Sequence, residues 1–269
     1  MKDLLRRRWF LLATVASAVG LTGAAAPAQE KSDPKPKEVR VLFLGNSQIY
    51  YNDLPRIVEA LADSAPKDQP RIKASQLTPG GASLESLWNK GTEKGSARAK
   101  IPEEKWDYVV LQEIFHAKAD SFGKHAALFH EAIEKNGSKT VLFCTASIST
   151  LYPKGFQEMH DMQTAMGKKL QVPMAAAGKA WLSYWGDEPT PEQRLALYDA
   201  DKAHPGKKGS YIYACSLYAI LTGHTPVGLT NRIPKQPEDT VTLAEAKKFQ
   251  EAAWKVHQEN TAKEKAPKP

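Results

Sequence analysis

The feature that most constrains this chain is a short apolar run, residues 39–44, that stops at Gly45-Asn46-Ser47. The run reads VRVLFL, and such β-branched and aromatic segments form strands buried on both faces of a parallel sheet. Gly45 tolerates the backbone angles of a sharp turn, so we expect Ser47 at the carboxyl edge of the sheet, where open α/β folds bind ligands. A serine there is either a nucleophile or the N-cap of the following helix, and this stretch alone leaves both interpretations open.

Downstream of this run, short strand-like segments alternate with amphipathic helical segments. The alternation predicts a parallel sheet of about five strands in a three-layer α/β/α sandwich, formed by residues 39–260. The predicted strands cover residues 39–44, 71–77, 106–111, 140–146 and 172–177. The predicted helices cover residues 54–64, 121–135, 157–170, 178–185, 206–221 and 243–258; a further helix begins after Gly80-Gly81, and residues 189–197 are a connecting segment.

A second motif stands late in the chain, where Asp201 and His204 are three residues apart and Pro205 follows. A proline disfavours helical geometry in the residue before it, so a short loop can aim the carboxylate and the imidazole into one cleft. A nucleophilic serine needs such a base and such an orienting carboxylate. Ser47, His204 and Asp201 are therefore candidate members of a catalytic triad.

Together the two motifs resemble the SGNH (GDSL-type) hydrolase superfamily. Its first block reads Gly-Asp-Ser or Gly-Asn-Ser, and its last reads Asp-x-x-His, usually followed by Pro. The matching residues are Gly45-Asn46-Ser47 and Asp201-x-x-His204-Pro205, about 150 residues apart. The resemblance implies a flavodoxin-like α/β fold, Ser47 as nucleophile, His204 as general base and Asp201 as its orienting acid. It also implies ester hydrolysis through an acyl-enzyme that needs no cofactor and no metal.

The resemblance further implies an oxyanion hole with three donors. The backbone N–H of Ser47 is one, and a glycine after the second strand supplies another; Gly81 is the candidate, with Gly80 beside it. The usual third block, Gly-x-Asn-Asp, is missing from its expected place. Gln112 stands at that strand end instead and carries a side-chain N–H, so it is the candidate third donor.

Gly80 is also a candidate for contact with substrate, and so are two further residues. Glu113 follows the third strand and either lines the cleft or belongs to a solvated loop. Trp181 lies four residues from Trp185 on one predicted helix face. Aromatic rings at that spacing either stack on a sugar or pack in the core.

The two ends of the chain differ in character from the predicted domain. Residues 1–28 combine a basic start, an apolar stretch and Ala26-Pro27-Ala28, which is typical of a signal peptide cleaved after about Ala28. Arg7-Arg8 also resembles a twin-arginine export signal. We therefore expect an exported protein, periplasmic or secreted, with no stable membrane span after cleavage. Residues 29–38 and 261–269 are charged and proline-bearing and are predicted to be a disordered linker and tail.

Charge and cysteine content exclude several other classes. Lys and Arg number 37 and Asp and Glu 30, and residues 1–28 hold four of the former and one of the latter, which leaves a net charge of +4. No basic run with interleaved aromatics suggests a nucleic-acid surface. Cys144 and Cys215 lie in apolar segments; export permits a disulfide, but buried free thiols are the favoured interpretation. No His or Cys spacing predicts a metal site.

These observations favour an exported serine esterase that acts on a small-molecule or polysaccharide ester. Acetylated carbohydrate and short-chain acyl esters both fit, and the residues choose neither. The altered third block leaves a second hypothesis open, a catalytically weak relative that binds a glycan without turning it over.

Overall fold

The computed structural model describes residues 36–146 and 155–265, and a five-stranded parallel sheet lies at their centre. The sheet order is β2-β1-β3-β4-β5. The strands are β1 Glu38–Leu44, β2 Arg71–Leu77, β3 Tyr108–Leu111, β4 Lys139–Phe143 and β5 Met174–Ala175. Because β1 pairs with β2 on one side and with β3 on the other, the strand order reverses there. The carboxyl end of β1 is thus the topological switch point where such sheets bind ligands.

The register brings three strand ends to one place. Leu44 at the end of β1 lies opposite both Leu77 and Leu111, the last residues of its two neighbours. The segments that follow these residues therefore start side by side. They are the turn that leads to Ser47, the turn that contains Gly81, and the pair Gln112-Glu113.

Helices connect the strands and cover the sheet. They are α1 Ser47–Tyr50, α2 Leu54–Ser64, α3 Leu84–Asn89, α4 Ala97–Glu103, α5 Ala119–Lys135, α6 Gly155–Leu170, α7 Ala177–Trp185, α8 Pro191–Leu195, α9 Lys207–Thr222 and α10 Leu243–Lys265; a 3-10 turn, Tyr51–Asp53, joins α1 to α2. Within the described residues, no helix combines the length and the apolar composition that a bilayer crossing requires.

Strand β1 shows how the layers are built, because successive side chains of a strand point to opposite faces. Val41 and Phe43 pack in one buried cluster with α2, α7, α9 and α10. Leu42 and Leu44 pack in a second cluster with α3, α4, α5 and α6. All four side chains are fully buried. The predicted three-layer α/β/α sandwich with five parallel strands is therefore confirmed.

Most predicted elements agree with the structure, and the differences have local causes. Strand β5 is only two residues long, not six, since Pro173 lacks an N–H for the ladder and α7 already begins at Ala177. Helix α4 was not predicted, because it is only seven residues long, has Pro102 inside it and buries only Ala97 and Ile101. Its N-cap is Ser96, whose hydroxyl accepts the N–H of Ala99.

The predicted tail also differs. Helix α10 continues to Lys265, five residues into the segment 261–269. Ala, Lys and Glu in this segment are strong helix formers, and the Thr261 hydroxyl donates to the carbonyl of His257 one turn back. The signal-peptide prediction for residues 1–28, most of the linker, and residues 266–269 lie outside the described part of the chain.

Candidate active site

Ser47 is the first residue of α1 and directly follows the turn at the end of β1. Asn46 is the N-cap of this helix, since its side-chain oxygen accepts the N–H of Gln48 at 3.1 Å. The cap interpretation of Ser47 is therefore wrong: its neighbour does the capping. The Ser47 hydroxyl is left for a contact elsewhere.

Gly45 is required here for space. Its φ is not in the left-handed region, contrary to the expectation that the turn needs glycine for its backbone angles. A Cβ at this position would lie 2.5 Å from the side-chain oxygen of Gln112 and 2.8 Å from the side chain of Ile49. Only glycine lets the turn before Ser47 approach the end of β3 this closely.

Ser47, His204 and Asp201 form a continuous hydrogen-bonded chain. The hydroxyl of Ser47 lies 2.8 Å from Nε2 of His204. On the other side of the ring, Nδ1 lies 2.5 Å from Oδ2 of Asp201. With the Nδ1 proton directed at the carboxylate, Nε2 is the acceptor that faces the serine hydroxyl, as a general base requires.

Asp201 is held in its ionised form. Its second oxygen accepts the backbone N–H groups of Ala203 and His204, each at 2.9 Å. Partial burial by itself raises the pKa of Asp201, but the hydrogen bonds from the His204 side chain and from these two N–H groups outweigh it and lower the pKa to about 2. The carboxylate therefore stays charged beside the imidazole at ordinary pH.

The loop that carries His204 is closed by its own backbone. The N–H of Asp199 donates to the carbonyl of His204 at 2.9 Å, and the N–H of Gly206 donates to Leu197 at 2.8 Å. Lys202 takes a left-handed φ of 57° at the tip. This short excursion before α9 presents Asp201 and His204 on one side, as the Asp-x-x-His-Pro spacing predicts.

Sequence reasoning did not single out one residue of α1 and two that follow it, yet all three contact this loop. The Gln48 side chain donates to the carbonyl of Ala203 at 3.3 Å, and Asn52 donates to that of Pro205 at 2.9 Å. The Tyr51 ring is stacked on the imidazole of His204. Asn52 was the residue that the sequence could have indicated. Asparagine adopts the left-handed conformation more readily than most residues, and Asn52 takes a φ of 56° two residues before α2.

The turn with Gly80 and Gly81 lies against the turn before Ser47. Gly81 has a φ of +67° within a turn closed by the N–H of Ala82 and the carbonyl of Pro79. The Asn46 side chain donates to the carbonyl of Ala82 at 2.9 Å and so ties the two turns together. Among the described residues, neither the N–H of Ser47 nor that of Gly81 has a protein acceptor. Gly80 is exposed beside the hydroxyl of Tyr50.

Gln112 is placed differently from the prediction. Its side chain is fully buried, its amide oxygen accepts the N–H of Asn46 at 2.9 Å, and its amide nitrogen donates to the carbonyl of Glu113. The interpretation of Gln112 as the third oxyanion donor is therefore corrected. The buried N–H of Asn46 needs an acceptor, and the amide of Gln112 is turned inward to provide it.

Glu113 does not line the cleft either. It is 1% exposed, and one carboxylate oxygen accepts the N–H groups of Leu84 and Ile114 at 3.1 and 2.7 Å. Burial raises the pKa of Glu113 to about 7 even though these two hydrogen bonds act to lower it. The residue joins the end of β3 to the first turn of α3, which follows the Gly81 turn.

Trp181 belongs to the core, so its prediction as a substrate contact is wrong. The ring is fully buried, donates through Nε1 to the carbonyl of Gly209 at 3.3 Å, and stacks on Tyr213 with centroids 5.0 Å apart. Its spacing from Trp185 reflects a helix face that packs against α9.

Cys144 and Cys215 are free and buried, as predicted. Burial raises the pKa of the Cys144 thiol to about 12, so it is not a competing nucleophile. Within residues 36–146 and 155–265, no group of three His, Cys, Asp or Glu side chains is arranged to hold a metal ion.

Comparison with known proteins rests on structure, since no protein-family model and no curated protein matches the sequence. A DUF4886 family protein from Bacteroides uniformis aligns with a TM-score of 0.62 at 17% identity, covering 86% of this chain and 98% of that one. An acetylxylan esterase from Geobacillus stearothermophilus aligns at 0.53 and 12%, covering 70% and 95%. The acetyl xylan esterase AlAXEase aligns at 0.51 and 16%, covering 67% and 98%. At these identities the likeness shows the shared α/β fold alone.

Proposed function

We propose that this protein hydrolyses carboxylic esters, with Ser47 as nucleophile, His204 as general base and Asp201 as the orienting carboxylate. The observation that carries the proposal is the unbroken chain of short hydrogen bonds from the Ser47 hydroxyl through both nitrogens of His204 to Asp201. It lies at the switch point of the sheet, on residues 157 positions apart in sequence. A serine that only caps a helix directs its hydroxyl at a backbone N–H of that helix, whereas the Ser47 hydroxyl contacts His204.

In the first half of the reaction, Nε2 of His204 takes the hydroxyl proton while the oxygen of Ser47 bonds to the ester carbonyl carbon. The backbone N–H groups of Ser47 and Gly81 receive the oxyanion of the tetrahedral intermediate. Asp201, ionised because its pKa is held near 2, stabilises the imidazolium. The carbon–alkoxide bond then breaks, the leaving oxygen takes the proton from His204, and the acyl group remains on Ser47.

Water completes the cycle by the reverse proton movements. His204 takes a proton from the water as its oxygen bonds to the acyl carbon, and the same N–H groups receive the second oxyanion. The bond to Ser47 then breaks, and the proton on His204 returns to the serine oxygen. Each ester yields one alcohol and one carboxylic acid, and the protein returns to its starting state.

For the substrate we propose short acyl esters, with acetylated carbohydrate as the first class to test. The support is the fold shared with two acetylxylan esterases, together with the signal-like residues 1–28, which would deliver the enzyme to extracellular polysaccharide. A panel from acetylated xylan to short lipid esters separates these substrates. The intact mass of the protein recovered outside the cytoplasm tests cleavage after Ala28.

A second function, glycan binding without turnover, is favoured by one observation. Gln112 is turned into the core, which leaves two backbone donors at the oxyanion position. Loss of one donor costs about 2.7–4 kcal/mol of transition-state stabilisation in enzymes of this kind. That cost lowers turnover by two to three orders of magnitude but leaves nucleophile activation intact, so a labelling experiment separates the two functions.

The first experiment is reaction of the purified protein with a fluorophosphonate probe, followed by peptide mass mapping. Ser47→Ala and His204→Ala are tested beside the wild type. His224→Ala is a matched control, since His224 is exposed and follows the end of α9, whereas the loop with His204 precedes the start of that helix. We expect an adduct on Ser47 in the wild type and in His224→Ala, and none in the other two variants.

Hydrolysis of p-nitrophenyl acetate by the same four proteins follows. Turnover that is lost with Ser47 and with His204 supports the esterase. A labelled Ser47 without turnover of any ester in the panel favours the glycan-binding function. Absence of the adduct on a folded wild-type protein refutes the triad.

A further inference from the structure

We propose that Tyr51 is a positioning residue for the general base His204, an inference that rests on the esterase function proposed above. The two rings are stacked, with centroids 4.2 Å apart and planes within 8° of parallel. Tyr51 follows α1 and is four residues beyond Ser47. The nucleophile and the ring that orients the base therefore belong to one short segment of the chain.

The same segment holds the backbone on both sides of His204. The Gln48 side chain donates to the carbonyl before the histidine, and the Asn52 side chain donates to the carbonyl of Pro205 after it. Asn52 also donates to the hydroxyl of Ser210 at 3.0 Å, in the first turn of α9. With the backbone fixed on each side, rotation of the imidazole about its own bonds is the freedom that remains.

The Tyr51 ring restricts that rotation. His204 must face Ser47 with Nε2 and Asp201 with Nδ1 at the same time, and a rotation of the ring out of this plane breaks both hydrogen bonds. The imidazole is 27% exposed and Asp201 41%, so the protein core does not enclose them. The flat ring of Tyr51 against one face of the imidazole supplies a steric restriction that the loop itself does not provide.

Stacking also matters for charge. The imidazole is neutral while it accepts the Ser47 proton and becomes a cation as the serine attacks. The face of an aromatic ring attracts a cation more than a neutral group, so Tyr51 stabilises the transition state more than the free enzyme. An interaction of this kind raises kcat and leaves KM nearly unchanged. The phenol hydroxyl is not needed for either effect, because the ring face makes the contact.

The test compares Tyr51→Phe with Tyr51→Leu and Tyr51→Met in hydrolysis of p-nitrophenyl acetate, with thermal unfolding measured for each protein. Phenylalanine keeps the ring and removes the hydroxyl, whereas the two aliphatic residues remove the ring. We expect Tyr51→Phe to retain wild-type kcat. Both aliphatic variants should lose about 3- to 30-fold in kcat, as expected for one cation–π contact, with KM unchanged.

Several outcomes overturn the inference. An aliphatic variant that folds and retains wild-type kcat shows that the ring is not needed. Tyr51 is only partly buried, so we expect at least one of the two aliphatic variants to fold. Tyr51→Phe as slow as Tyr51→Leu assigns the effect to the hydroxyl instead. A rise in KM at constant kcat makes Tyr51 a substrate contact. If the wild type neither turns over ester nor takes label on Ser47, the proposed function itself fails and this inference with it.

Discussion

The two halves of the candidate site are built in opposite ways. On the nucleophile side, Asn46, Gln112 and Glu113 are at most 2% exposed, and each uses its side chain to satisfy backbone groups of the turns at the strand ends. On the base side, His204 and Asp201 are 27% and 41% exposed and lie on a loop. The first half is thus part of the core, and the second is attached to it.

This difference has an energetic consequence. A buried backbone N–H that loses its acceptor costs about 1–3 kcal/mol of stability, so changes on the nucleophile side lower the free energy of unfolding as well as activity. Exposed polar contacts contribute little to stability. Changes to the base side should therefore remove activity and leave the fold intact. Substitutions on each side of the site test this separation.

The largest effect is expected for Asp201→Asn. The amide keeps an oxygen for the N–H groups of Ala203 and His204, but it offers an N–H to Nδ1 of the imidazole and so favours the wrong tautomer. We expect kcat/KM for an ester substrate to fall by about 10⁴-fold. Because the Asp201 side chain is 41% exposed, the free energy of unfolding should fall by no more than about 1 kcal/mol, as measured by urea titration.

Asp199→Asn is the matched control for this variant. Asp199 is an exposed acid on the same loop, and its carboxylate accepts the N–H of Ala200 without touching the imidazole. We expect this control to keep nearly all of its activity. A large loss of stability in Asp201→Asn would mean that the loop is integral to the fold and would contradict the comparison.

The next effect is on the pH dependence of the free energy of unfolding, and it comes from Glu113. Its pKa is raised from 4.5 to about 7 in the folded protein, so at intermediate pH the unfolded chain loses a proton that the folded chain keeps. The stabilisation is full below about pH 4.5 and is lost as the pH rises to about 7, a decrease on the order of 3 kcal/mol. Glu113→Gln should remove this decrease.

The measurement is the free energy of unfolding of the wild type and Glu113→Gln by urea titration between pH 4.5 and 8. Glu93→Gln, on an exposed acid, is the matched control and should follow the wild type. The curve of Glu113→Gln should rise relative to the wild type as the pH increases. Two parallel curves would show that Glu113 is not buried as described.

The sequence was informative where chemistry depends on spacing along the chain. The two motifs were expected to bring Ser47, His204 and Asp201 together, and the structure places these three side chains in one hydrogen-bonded chain. The bounds of α2 and β2 agree with the prediction because a local apolar pattern sets them. The surroundings of individual side chains were harder to predict. An amide at the end of a strand, such as Gln112, faces either the cleft or the core, and the N–H of Asn46, 66 residues away, decides between them.

Trp181 and Tyr51 illustrate the same limit from two directions. A tryptophan pair on one helix face is compatible with a sugar platform or with a core, and only the packing of α7 against α9 shows that the ring of Trp181 is enclosed. Tyr51 contacts His204 across 153 positions, and no local pattern indicates such a pairing. Side-chain environments that depend on long-range packing are therefore the part that sequence alone could not predict.

The smallest effect, and the sharpest test of the comparison, is expected for Gln112→Met. Methionine has nearly the same length and keeps the buried volume, but it gives the N–H of Asn46 no good acceptor. We expect a loss of about 1–3 kcal/mol in the free energy of unfolding, together with lower kcat because the turn before Ser47 loosens. Gln76→Met, on an exposed position of β2, controls for the change of residue type. If Gln112→Met loses activity but keeps the wild-type free energy of unfolding, Gln112 acts on the reaction directly. The buried hydrogen bonds around Ser47 would then not be what sets the geometry of that half of the site.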